Sequence, residues 1–212
     1  MKILIVDDHA VIHQGLQRML DNEFQGAAFG DARDAQQALA LIDKGGWDVV
    51  ILDIGLPGRG GLDLLKQIHG ERTGLPIIIF SMHTEEQYAI RAFKAGASGY
   101  LAKESAPEQL VEAIHRVIGG GKYVSSELAQ HLASSLDQDL SRAPHEILSD
   151  REYEVLCRIS AGKTTTAIAE QMRLSVKTVS TYRTRILEKL QLKTSAELIR
   201  YGIDHRLDCN GS

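Results

Sequence analysis

Cysteine is nearly absent. The 212 residues include two, Cys157 and Cys209, and these make neither a metal-ligand spacing nor a disulfide framework. Both are expected as free thiols in a reducing compartment. No apolar run approaches the roughly 18 residues needed to span a bilayer. The opening MKILIVDD turns acidic too early for a signal peptide. A cytoplasmic protein without a membrane segment is expected. No internal repeat is visible. The composition, 43% hydrophobic and 25% charged, argues against extensive disorder.

What is present is an asymmetry of charge. The formal net charge is -4, but residues 145–212 hold 11 Lys+Arg and 9 Asp+Glu, a net of +2, and residues 1–144 hold 13 and 19, a net of -6. Within 176–193 there are five basic residues and one acidic. An acidic part joined to a locally basic part suggests two domains with different partners.

The first part alternates short apolar runs with helical patterns. Strand candidates are Lys2–Val6, a weak one near Ala27–Phe29, Val49–Leu52, Ile77–Phe80 and Ser98–Leu101. They are short and bounded by turn residues, as buried parallel strands are. Helical stripes lie between them, among them Ile12, Leu16, Met19 and Leu20, then Leu62, Leu65 and Ile68, and finally Leu110, Ile114 and Val117. Alternation of this kind implies a doubly wound sheet, whose ligand site lies outside the carboxyl ends of the strands.

Gly119-Gly120-Gly121 ends the alternation. Residues 122–145 read as a linker, partly helical around Ser126–Leu140. From Leu148 the pattern is helical only. Ser149 with Glu152 fits a capping box, Gly162 stops that helix, and Ile168, Ala169 and Met172 mark a second. Ser175 caps a third from about Val176 to Leu190, and a fourth runs from Thr194 to Leu207, with Leu198, Ile199 and Ile203 as its apolar residues.

Asp7 and Asp8 end the first expected strand and Asp53 the third, with Ser81 after the fourth and Lys103 after the fifth. The fold would gather all five in one crevice. Three carboxylates together repel one another and call for a cation, and Mg²⁺ suits oxygen ligands. A carboxylate so held attacks a phosphoryl group to form an acyl phosphate. The ammonium of Lys103 would neutralise phosphoryl oxygens.

VDDH, ILDIGLPGRGGLDLL, IIIFSMH and ASGYLAK, in that order, resemble the receiver domain of bacterial two-component response regulators over about residues 1–120. The resemblance implies Asp53 as phosphoacceptor, Asp8 as a direct Mg²⁺ ligand, Asp7 as a ligand through water, and the Gly55 carbonyl as another. It also implies Ser81 and Tyr100 as a hydroxyl–aromatic switch pair, in which Ser81 is drawn inward and Tyr100 enters the space it leaves. Gly55 and His83 stand at positions that set the acyl-phosphate lifetime.

REYEVL, IAEQMRLSVKTV and ILEKL resemble the LuxR-type helix-turn-helix of the NarL/FixJ class over about residues 146–208. The match departs at Thr164-Thr165-Thr166-Ala167 and at Tyr182. On the third helix Val179, Ile186 and Leu190 share one face, and Lys177, Ser180, Thr181, Thr184 and Arg185 lie opposite. That face fits a major groove. Ser180, Thr181 and Thr184 are the expected base contacts. Lys177, Arg183, Arg185, Thr164 and Thr165 are the expected phosphate contacts. In this family the last helix pairs two such domains.

Two other patterns fail. Gly162-Lys163-Thr164 resembles a P-loop ending, but Cys157 stands where glycine is required. His9 and His13 have helical metal-site spacing without a local partner, so both read as surface histidines.

The expected fold is α/β: a flavodoxin-like, five-stranded, parallel, doubly wound receiver domain (1–121), the linker (122–145), and a separate all-α, four-helix helix-turn-helix domain (146–208). The expected function is a DNA-binding transcriptional regulator, not an enzyme, switched by phosphoryl transfer from a sensor histidine kinase to Asp53. Mg²⁺ is the expected cofactor. DNA, the kinase, a second copy on activation and RNA polymerase are the expected partners. A haloacid-dehalogenase-type phosphohydrolase is the alternative; it needs Asp-x-Asp after the first strand, whereas Asp53 follows the third and Gly55 holds the second position.

Overall fold

A computed structural model of the full chain describes residues 1–58, 60–82, 85–126, 128–130, 144–205 and 207, without the side chains of 85–87. The chain divides into two compact units, Met1–Asp137 and Gln138–Ser212.

The first unit alternates β1 (Lys2–Val6), α1 (Ala10–Glu23), β2 (Ala28–Ala32), α2 (Ala35–Asp43), β3 (Val49–Leu52), α3 (Gly61–Glu71), β4 (Ile77–Ser81), α4 (Glu85–Lys94), β5 (Gly99–Ala102) and α5 (Pro107–Ile118). All strands are parallel, in the order β2-β1-β3-β4-β5. This is the expected doubly wound sheet. Every residue of β3 and β4 is buried, which is why those strands read as unbroken apolar runs. β2 lies at an edge, and only Ala32 of its five residues is buried. Its weak signal in the sequence follows from that exposure.

The chain reverses direction across the sheet between β1 and β3. There the Asp53 N–H donates to the Val6 carbonyl (2.9 Å), and the Asp7 N–H donates to the Ala32 carbonyl (3.0 Å). These bonds hold both carboxylates at the switch point of the sheet.

The other edge is covered by residues from the expected linker. After the three glycines, Tyr123 forms a parallel bridge with Gly99. Its N–H donates to the Ser98 carbonyl (2.9 Å), and its carbonyl accepts from Tyr100 N–H (3.3 Å). Tyr123 packs with the core of the first unit, and Leu128 is buried too. An unpaired β5 edge would template wrong pairing, and Tyr123 occupies part of it. Most of the expected Ser126–Leu140 helix lies outside the described residues; 126 and 128–130 are helical.

The second unit opens with a 3-10 turn, Pro144–Ile147, followed by α6 (Asp150–Ser160), α7 (Thr165–Met172), α8 (Val176–Leu190) and α9 (Ser195–Asp204). Ser149 caps α6. Its Oγ accepts from the Glu152 N–H (3.4 Å) while Glu152 Oε2 accepts from the Ser149 N–H (2.8 Å), the expected capping box. Gly162, at φ +77°, follows the end of α6. Ser175 caps α8 by accepting from the Thr178 N–H (3.0 Å). Ile168, Ala169, Met172, Val179, Ile186, Leu190 and Leu198 are all buried. Cys157 is a buried free thiol, and Cys209 lies outside the described residues.

Glu152 also takes a hydrogen bond from Lys189 Nζ of α8 (2.6 Å), so one carboxylate caps α6 and ties it to α8. Burial opposes its charge, but the bonds from Lys189 and Ser149 prevail and hold the carboxyl below its ordinary value. The stability this contributes is present above the unfolded value of about 4.5 and is lost as pH falls through the lower folded one. Glu152→Gln keeps the cap acceptor and removes the charge. Because Lys189 is partly exposed, about 0.5 to 1 kcal/mol is the expected loss at neutral pH. The deficit should shrink as pH falls below about 4.5. Hydrogen exchange at Leu156 and Ile159 measures it.

Candidate functional site

The crevice at the sheet edge is built from three strand ends. Asp7 and Asp53 are buried, and Lys103 lies between them. Its Nζ stands 2.5 Å from Asp7 Oδ2 and 2.9 Å from Asp53 Oδ2. Asp53 Oδ1 accepts from the Gly55 N–H (3.0 Å). The Lys103 N–H donates to the Ser81 carbonyl (2.8 Å), which fastens the β5–α5 turn to the end of β4. Ser81 and Tyr100 are both fully buried, so here the tyrosine ring stands inside the fold.

Burial pushes the Asp53 carboxyl above its ordinary value and Asp7 adds repulsion, against the opposing pull of Lys103 and the Gly55 N–H. For Lys103, burial works against the charge, but Asp53 and Asp7 outweigh it and raise the ammonium above its ordinary range. The site holds a protonated lysine between two carboxylates, one of them destabilised in its ionised form.

Ligand atoms of Asp7, Asp8, His9 and Asp53 lie within 4.8 Å of one another. Three carboxylates make a hard oxygen donor set, which fits a small divalent cation such as Mg²⁺. A Cβ at Gly55 would come within 3.2 Å of Asp53 Oδ2, so glycine keeps this side of the carboxylate open. His83 lies outside the described residues.

In the second unit the outer face of α8 carries Lys177, Thr181, Thr184 and Arg185, all exposed, and Ser180, partly so. An open groove of about 310 Å³ runs beside Ser175, Lys177, Thr178, Thr181, Tyr182 and Arg185. Arg183 is turned elsewhere: its Nε donates to Ser195 Oγ at the start of α9 (2.8 Å). Thr164 caps α7 by accepting from the Ala167 N–H (3.2 Å), with Thr165 the first residue of that helix. On α9, Leu198 is buried and Ile203 is 67% exposed.

The model of the response regulator receiver domain matches residues 3–115, and that of the bacterial regulatory proteins of the luxR family matches 146–202. The chain is 35% identical over 211 residues to the response regulator UvrY of Escherichia coli (strain K12), covering 99% of this chain and 96% of that protein. It is 32% identical over 206 residues to the response regulator GacA of Pseudomonas aeruginosa, covering 97% and 96%. Among solved structures, the RcsB–DNA complex is similar with a TM-score of 0.59 at 25% identity, over 95% of this chain and 97% of that one.

The chain belongs to the response regulators. As a member of the family it is a DNA-binding regulator whose receiver domain is phosphorylated by a sensor kinase.

This response regulator corrects one expectation. His13 is not a surface histidine; it is buried. Its Nε2 lies 2.6 Å from the Asp7 carbonyl, and its Nδ1 lies 2.9 Å from Asp31 Oδ1. Gln17 Nε2 donates to the same Asp31 oxygen (2.9 Å). The partner comes from β2, about 18 residues on, so no local pattern discloses it. The arrangement ties α1, the end of β1 and β2 together behind Asp7. His9 stays mostly exposed, but its Nδ1 reaches Asp7 Oδ1 (2.9 Å) and Asp8 Oδ1 (3.0 Å).

Proposed function

We propose that Asp53 is the phosphoacceptor and that its modification converts this chain into a DNA-bound dimer. The observation carrying the reading is Lys103, whose ammonium lies between Asp53 and Asp7 at the carboxyl ends of the strands. An Asp53 oxygen attacks the phosphorus of a kinase phosphohistidine; the new P–O bond forms as the P–N bond breaks, and the imidazole leaves with the electron pair. Lys103 turns from the carboxylate to the phosphoryl oxygens, and the Ser81 hydroxyl takes another.

Asp7, Asp8 and Asp53 with the Gly55 carbonyl would hold Mg²⁺, which when bound supplies positive charge against the phosphoryl oxygens. Tyr100, whose ring is buried, is the aromatic member of the switch.

The receiver spans 1–121, with Tyr123 from the following linker (122–145) completing its edge, and the luxR-type domain spans 146–208. Lys177, Arg185, Thr164 and Thr165 face DNA phosphates, Ser180, Thr181 and Thr184 face base edges, and Arg183 divides its guanidinium between Ser195 and a phosphate. The exposed Ile203 on α9 supports pairing of two such domains. A cytoplasmic location and RNA polymerase as a further partner follow from this reading; no helix of the described residues is long and apolar enough to cross a membrane.

Sedimentation of the full chain with Mg²⁺, before and after treatment with a small acyl-phosphate donor, tests the dimer. The dimerisation constant, measured at micromolar chain, should rise about tenfold, a shift equivalent to about 1.4 kcal/mol. An unchanged distribution in a chain that has taken up phosphate would overturn the dimer switch.

A further inference from the structure

The outer face of α8 offers fewer hydrogen-bond donors than its sequence suggests. A threonine hydroxyl has one proton, and two threonines spend theirs inside the helix. Thr181 Oγ1 donates to the Lys177 carbonyl (2.9 Å), and Thr184 Oγ1 donates to the Ser180 carbonyl (3.1 Å). Both residues are exposed. With those bonds made, neither hydroxyl can donate to guanine O6 and N7 or to thymine O4. Each retains a Cγ2 methyl.

Val176 adds to this. It opens the same helix and is 45% exposed. Val176, Ser180 and Thr184 follow at four-residue intervals and share one line of the helix face. Thr181 stands on the next line, four residues after Lys177. A groove open beside Thr181 leaves room for a small apolar group. The reading face thus carries the branched side chains of Val176, Thr181 and Thr184, with Ser180 between Val176 and Thr184 and with Lys177 and Arg185 alongside.

In the major groove only thymine carries a C5-methyl. We infer that α8 selects A·T base pairs by packing Thr181 and Thr184 methyls against thymine methyls, with Val176 extending that contact. The inference rests on the DNA-reading assignment above. Cytosine at such a position leaves a gap where the methyl was. Guanine presents two acceptors that these threonines have no proton to satisfy, so it is rejected for a different reason.

The test uses the full chain, activated with a small acyl-phosphate donor, and duplexes enriched from a random DNA pool. Each thymine of an enriched site is then replaced singly by deoxyuridine, which removes only the methyl. One position for each threonine should bind about three- to fourfold more weakly, the loss that accompanies one buried methyl. Thr181→Ser and Thr184→Ser should each erase the sensitivity at one position, since serine keeps the hydroxyl and lacks the methyl. Lys177→Ala should weaken every duplex and leave the thymine-to-uracil ratio unchanged. Equal binding of thymine and uracil duplexes at every position would overturn the inference, as would sensitivity that survives both serine variants. Failure to enrich any duplex is a separate result: it removes the DNA-reading assignment and this inference with it.

Discussion

Asp53→Asn is expected to bring phosphoryl incorporation from a labelled phosphohistidine donor to background, a loss of about a hundredfold or more, because an amide oxygen is no nucleophile. The variant should fold. Asparagine matches the shape of aspartate and its amide oxygen still accepts from the Gly55 N–H, but its NH2 then faces the Lys103 ammonium, a second donor, which leaves Lys103 its contact with Asp7 alone. The pH dependence increasingly favours the variant as pH rises. Burial raises the folded carboxyl above the unfolded value of 3.8. The ionised form is therefore relatively more stable in the unfolded chain, and wild-type stability falls as pH rises through the interval above 3.8. Asparagine removes that fall. In Mg²⁺-free buffer its urea midpoint relative to the wild type should rise between pH 3.5 and pH 7. This is the usual opposition of stability and activity at a charged site. Label retained by the variant sinks the acceptor assignment. A variant with no cooperative urea transition means the lost label came from misfolding.

The acidic crevice was legible because its residues recur at strand carboxyl ends. Asp7, Asp53, Ser81 and Lys103 each follow an apolar run, and the parallel order brings those ends to one edge. The helical unit was legible through caps: Ser149 with Glu152, Gly162 and Ser175 all serve the ends they mark in sequence. What escaped depends on partners far away along the chain. His13 reads as a surface residue until β2 delivers Asp31. Tyr123 follows three glycines and resembles linker, yet one bridge to Gly99 makes it part of the sheet edge. Arg183 reads as a phosphate contact, and only the fold shows that Ser195 meets its Nε. Thr181 and Thr184 read as base contacts, and only the rotamers show their protons committed to carbonyls in the preceding turn. Periodicity reports which face is buried; it does not report where a side chain's proton is spent.

Gly202→Ala is expected to unfold the helical unit at temperatures where the wild type is intact, while phosphoryl uptake at Asp53 persists. Gly202 is buried on α9 against Ser160, the last residue of α6. A Cβ there would lie 1.9 Å from Ser160 Oγ and 2.3 Å from Ser160 Cβ. The hydroxyl could rotate away at the cost of its bond to the Leu156 carbonyl (2.9 Å). The Ser160 Cβ has no such freedom, so the two helices must separate. Leu198, one turn earlier on α9, and Ile159 beside Ser160 are both buried and would lose contacts. Overpacking of this kind costs about 1 to 3 kcal/mol, occasionally more. Alanine's better helix propensity recovers about 1 kcal/mol at most. For a unit of this size, whose whole stability is about 4 to 11 kcal/mol, the net loss is a large share. The cause can be separated from a general intolerance at this position by exchanging the two small residues. Ser160→Gly removes both clashing atoms, and its helix penalty falls at a terminus where it is mild. The pair Ser160→Gly/Gly202→Ala should regain most of the wild-type melting temperature and the DNA binding lost by Gly202→Ala alone. A double variant no more stable than the single one would show that the α6–α9 contact is not what requires glycine.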